Sequence, residues 1–151
     1  MSAQGNHRGF LKFTIGQAIT AREGTDLTIV ANGMMVAASL DAAQTLSEEG
    51  IDARVIDLHT LRPMDKATII KAARETGAIV TAEEHLLHGG MGANVARIVA
   101  ESTPVPMRFV GLADTYVESG DPDDLLLKYH LTAHDIEEKA REVLAAKRQA
   151  I

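Results

Sequence analysis

The chain has 151 residues, room for one domain with an ordinary core and too few for a second, since roughly two thirds of the unfolded surface can be buried at this size. Hydrophobic residues make up 46% of it, yet Trp is absent and there are only two Tyr and three Phe, so the core has to be aliphatic. A net charge of −6 with interspersed signs argues against nucleic acid and anionic membranes as partners, and the lack of Cys rules out disulfides, thiolate nucleophiles and Cys-ligated zinc.

No apolar run approaches the ~18 residues of a spanning helix, and the start MSAQGNHRG has no signal-peptide core, so the expected setting is soluble and cytoplasmic. Ahead of the first clear strand, FLKFTIGQAITAREG holds a weak edge-strand pattern around Ala18 to Arg22, ended by Gly24. DLTIVA, residues 26–31, is a β-branched apolar run ending at the turn pair Asn32-Gly33. Met35, Ala38, Ala42, Ala43 and Leu46 then recur at helical spacing, and Gly50 is the stop. ARVIDL, residues 53–58, repeats the strand pattern, and Asp65 caps the helix KATIIKAARET before Gly77.

AIVTA at 78–82 predicts a third strand, NVARIVAES at 94–102 a helix, and MRFVG at 107–111 a fourth strand. This alternation implies a parallel sheet covered by helices on both faces, an α/β fold. LADTYVESGDPDD is a surface excursion, LLLKYH a short helix at most, and Thr132 caps a last helix with the apolar stripe Ile136, Ala140, Val143 and Leu144. On that helix Glu137, Glu138, Lys139, Arg141 and Glu142 are expected to face mostly outward.

In such a sheet, ligands usually meet the loops after the strand carboxyl ends. TAEEHLLHGGMG, residues 81–92, is one of these. Gly89, Gly90 and Gly92 precede a helix whose free N–H groups could receive an anion or a carboxylate; the plainer use of the glycines is tight strand-to-helix packing. Glu84, His85 and His88 are chemically able to bind a metal or to act as acid and base. However, the histidines are three apart in a loop, with no evident third ligand and no activated nucleophile nearby, so neither a metal site nor catalytic residues are expected. In LRPMD, Pro63 stiffens a loop, Asp65 caps a helix, and Arg62 is either surface or a phosphate contact. Met34 and Met35 read as core or interface filler, His59 as a satisfied polar residue, and His7, His130 and His134 lack convergent partners.

Four segments, FTIGQAITAREGTDLTIVANGMMV, GIDARVIDLHTLRPMD, TGAIVTAEEHLLHGGMG and VGLADTYVESGDPDDLLLKYHLT, together resemble the C-terminal domain of transketolase, especially that of split, two-subunit bacterial enzymes. The likeness runs from about Phe13 to Leu144, so residues 1–12 read as a leader or linker remnant and 13–151 as the domain. The family often has Lys at the positions of Gln17 and Arg62, and Leu at that of Met91. The resemblance implies a three-layer α/β/α fold with a five-stranded, mostly parallel sheet whose first strand, near Ala18 to Arg22, is antiparallel. It also places Asn32-Gly33 and the EEHLLHGG loop on neighbouring strand ends beside the reversal of strand order.

In that family, thiamine diphosphate and its magnesium are held by two preceding domains, through a Gly-Asp-Gly motif with a later Asn and through an activating glutamate. Here the only Gly-Asp is Gly120-Asp121, followed by Pro122, and no Asn follows Asn94. The resemblance therefore implies a non-catalytic section that binds no cofactor itself, docks against cofactor-binding domains or a subunit, and forms homo- or hetero-oligomers. Two alternatives stay open: a freestanding regulatory module holding a small anion at the glycine loop, and the same domain of a related enzyme such as deoxyxylulose-phosphate synthase or a 2-oxoacid dehydrogenase β subunit.

Overall fold

A computed structural model describes residues 13–113 and 117–150. The expected leader at 1–12, with His7, and residues 114–116 of the excursion lie outside the described residues.

The elements run β1 (Ile19–Arg22), β2 (Leu27–Ala31), α1 (Met35–Glu48), β3 (Ala53–Asp57), α2 (Lys66–Thr76), β4 (Ile79–Leu86), α3 (Met91–Ser102), β5 (Met107–Leu112), α4 (Pro122–Lys128) and α5 (Ala133–Gln149). They form one sheet in the order β1-β3-β2-β4-β5. β1 is antiparallel to β3, through a register irregularity between Thr20 and Arg22. The other pairings, β2 with β3, β2 with β4 and β4 with β5, are parallel. This is the three-layer, five-stranded α/β/α arrangement anticipated above, with its first strand reversed.

The inner strands β2 and β3 and the first half of β4 are buried from both sides because they carry apolar residues at odd and even positions. In β2, Leu27, Ile29 and Ala31 join a cluster with Leu46 of α1 and Ile136, Ala140 and Val143 of α5, while Val30 packs with Ile69 of α2 and Val95 and Val99 of α3. Successive side chains of a strand point to opposite faces, so the continuous hydrophobic run is the direct cause of the double-sided core. The chain ends of the helices are tied down as their sequences require. Asp65 accepts from the N–H (3.1 Å) and hydroxyl (2.7 Å) of Thr68 and also from the N–H of Ala18 (2.8 Å), so one carboxylate caps α2 and fixes the approach to β1. Burial pulls the Asp65 pKa upward, but these hydrogen bonds outweigh it and hold the group below the ordinary aspartate value. Thr132 and Asp135 form a reciprocal capping box at the start of α5. At its far end, Lys147 Nζ donates to the carbonyls of Asp26 and Thr76.

Three local features depart from the sequence reading. β4 continues to Leu86 instead of ending at residue 82, its exposed last turn pairing Leu86 with Leu112 past a register irregularity. α3 starts at Met91, three residues before Asn94. Glu137 is buried instead of outward, with its carboxylate 3.8 Å from Arg141 and 3.7 Å from His134. No helix among the described residues is long and apolar enough to cross a membrane.

Candidate functional site

Strand order reverses around β2: the chain moves from β2 to β3 on one side, then crosses to β4 on the other. The carboxyl ends of β2 and β4 are neighbours, with Ala31 opposite Ala82. Asn32-Gly33 and the loop after β4 therefore flank the crevice where open α/β sheets bind partners.

Alternation along β4 divides the two adjacent glutamates. Ile79, Thr81 and Glu83 share the face that carries α2 and α3, and Glu84 falls on the other. Glu83 is 1% exposed, and its two carboxylate oxygens accept from the first N–H groups of α3: Met91 to Oε1 at 2.8 Å and Gly92 to Oε2 at 2.7 Å. A buried carboxylate thus satisfies two donors that the helix itself leaves unpaired and sits at the positive end of its dipole. The negative group at this helix end is the chain's own.

Each glycine of the loop has its own physical reason. Gly89 has φ 75 with open space around it, so the backbone conformation alone selects glycine. A Cβ at Gly90 would land on Glu83 Oε1 and the Leu86 carbonyl. One at Gly92 would stand 2.5 Å from Thr81 Oγ1 and 3.0 Å from Glu83 Oε2. Close approach of helix to strand is what these two positions require. Thr81 Oγ1 itself is fully buried with no hydrogen-bond partner.

The remaining candidates do not converge into one centre. His85 is 66% exposed, with Nδ1 4.0 Å from Glu83 Oε1, and His88 is exposed. Among the described residues no three His, Asp or Glu side chains are placed to hold a metal ion. Glu84 joins Met34 at the rim of an apolar groove of about 320 Å³, formed with Leu112, Val117, Leu125 and Leu131. His59, just past the end of β3, bonds the Gln17 carbonyl through Nε2 (2.7 Å) and Thr60 through Nδ1 (2.8 Å), and its ring meets that of Phe13 in a T-shaped contact with centroids 5.0 Å apart. Arg62 lies apart from the glycine loop, in a separate groove beside α3 with Asn94 and Arg97. Of the two methionines, Met35 is core and Met34 is 65% exposed.

Glu83 is the residue that sequence reasoning passed over, because it drew attention to Glu84 and the histidines. The signal was available in the strand period: counting by twos from Ile79 brings Glu83, and not Glu84, under the glycine-led helix.

One further property belongs to this edge. Phe13, Ile15, Met34, Leu61, Leu86 and Val117, six of the seven large exposed hydrophobic residues among those described, lie on the leader to β1 or at and beyond the carboxyl ends of β2 to β5. Contiguous exposed apolar surface is a general mark of protein–protein contact.

Comparison with known proteins agrees with this architecture. The family model for the transketolase C-terminal domain matches residues 16–136. The 6-deoxy-6-sulfo-D-fructose transketolase subunit SqwH of Clostridium sp. (strain MSTE9) is 44% identical over 136 residues, which is 90% of this chain and 42% of that protein. The 1-deoxy-D-xylulose-5-phosphate synthase of Heliobacterium modesticaldum is 43% identical over 135 residues, covering 89% of this chain and 21% of the synthase. A solved structure described as a split gene transketolase, inactive beta4 tetramer, superposes with a TM-score of 0.87 at 43% identity, over 91% of this chain and 45% of that one. This chain spans less than half the length of each of these relatives. By the match over residues 16–136, it belongs to the transketolase C-terminal domain family.

Proposed function

We propose that this chain serves as the non-catalytic C-terminal section of a thiamine-diphosphate-dependent transketolase, in which two-carbon ketol units pass between sugar phosphates. Its part in that reaction is assembly: the carboxyl edge of the sheet docks against the portion that holds thiamine diphosphate and magnesium. The observation that carries this reading is the concentration of exposed apolar side chains on one edge, around a joint whose buried carboxylate is already engaged by internal hydrogen bonds. Glu83 has both oxygens engaged by backbone donors, which suits a structural brace better than a proton shuttle.

The test is reconstitution. Mixed with a cofactor-binding portion from a split transketolase, the chain is expected to form a complex in sedimentation velocity and to restore ketol transfer that neither component shows alone. Met34→Asp with Leu86→Asp, two exposed positions on the edge, should abolish the complex while leaving the far-UV spectrum unchanged. Ketol transfer by the isolated chain, or a complex indifferent to both substitutions, would overturn the proposal.

A further inference from the structure

The surface carries another concave feature, on the α2 and α3 side, which meets the apolar edge only at Leu61. A groove of about 360 Å³ runs between the loop after β3 and the flank of α3, lined by Arg62, Lys66, Asn94 and Arg97, with Met64 and Ile98 among its apolar residues. Three cations from three separate elements share it, in a chain whose net charge is −6. The one carboxylate lining it is Glu101, which is paired with Arg97 at 3.1 Å. Asp65, between Arg62 and Lys66 in sequence, is committed to Thr68 and Ala18. Arg62 and Lys66 have no carboxylate partner among the described residues, although the same chain pairs Arg22, Arg54, Arg108 and Arg141 with acids.

We propose that this groove binds a small phosphorylated organic molecule, with the phosphate held by Arg62 and Lys66 and the carbon frame lying toward Met64 and Ile98. Guanidinium forks match phosphate oxygens two at a time, a second cation raises the local potential, and Asn94 adds a neutral amide that can donate or accept. The volume falls in the range of small-molecule sites and exceeds what one side-chain carboxylate would fill. The groove shares no lining residue with the apolar groove at Met34 and Glu84, and only Leu61 belongs both to it and to the edge proposed for docking.

The experiment is a two-dimensional amide NMR titration of the full chain at fixed ionic strength, set with sodium chloride. The probes are inorganic phosphate, glucose 6-phosphate and glucose. Saturable shifts at residues 61–66 and 94–101 are expected with both phosphates, tighter with glucose 6-phosphate and absent with glucose. Arg62→Ala and Lys66→Ala are each expected to weaken binding about tenfold, and both sites are exposed, so the amide spectrum should otherwise stay that of the parent. Shifts that never saturate, shifts centred on Gly89 to Gly92, equal affinity for the two phosphates, or an unchanged affinity in the double variant would each refute the proposal.

Discussion

Glu83→Gln is the most informative single substitution in this chain, because it keeps shape while removing charge and one acceptor. In the parent, both carboxylate oxygens receive a backbone N–H, at 2.8 and 2.7 Å, in a site 1% exposed. Glutamine keeps one acceptor oxygen and turns an NH2 group toward the other donor, so one hydrogen bond is lost and two donors face each other. A hydrogen bond to a charged group is worth about 1.5–3 kcal/mol, and the lost attraction to the helix dipole adds up to ~2 kcal/mol in a buried geometry. Relief of the carboxylate's desolvation offsets part of this, leaving an expected net cost of about 2–3 kcal/mol. At this chain length that corresponds to a fall in Tm of roughly 4–12 °C. Urea denaturation followed by circular dichroism measures the cost, and amide exchange should show faster opening at Met91 and Gly92. Glu84→Gln, the same chemistry one residue later on the exposed face, is the control and should stay within about 0.5 kcal/mol of the parent. If Glu83→Gln were equally neutral, with protection at Met91 and Gly92 retained, the account of this joint would fail.

Other substitutions probe neighbouring parts of the same reasoning. Gly90→Ala should cost about 1–3 kcal/mol through collision with the Glu83 carboxylate and the Leu86 carbonyl, and Gly89→Ala about 1–2 kcal/mol from its positive φ alone, so pairing each with Glu83→Ala in a urea-denaturation cycle should relieve part of the first cost and none of the second. Thr81→Val removes a buried hydroxyl without a partner and is expected to stabilise the fold by about 1 kcal/mol in the same assay; a loss of 1 kcal/mol or more would mean that hydroxyl is satisfied in solution. Asp65→Ala should cost about 1–2 kcal/mol at pH 7. Because the folded pKa of Asp65 is lowered, its stabilisation is present above the ordinary aspartate value and is lost as pH falls through the folded one. Parent and variant stabilities should therefore converge below about pH 4, and a gap that widens on acidification would contradict the assignment.

The parts of the fold legible in the sequence are those decided within a few residues. Gly77, at φ 69, ends α2 where the pattern stops, and Asp65 and Thr132 cap the helices their spacing announces. The run Leu27–Ala31 reads as a strand buried on both faces because it carries no polar face at all. The antiparallel β1 has a short, half-exposed pattern of its own, and only the family likeness called for its direction. What escaped local reading depends on distant partners. β4 runs past residue 82 because β5 offers Leu112 to pair with Leu86, although EEHL is polar and exposed. α3 begins at Met91 because its cap is Glu83, eight residues back on a strand, instead of a side chain at the helix boundary. Glu137 belongs by its chemistry to the outer face, and is drawn inward beside Arg141 and His134.

The central claim is that this chain supplies a scaffold and a docking edge while the coenzyme is gripped elsewhere. Isothermal titration of thiamine diphosphate with magnesium into the isolated chain tests it most directly. The account predicts no saturable heat up to millimolar coenzyme, and binding that develops only when a cofactor-binding portion is added. Micromolar binding to the chain by itself would contradict it.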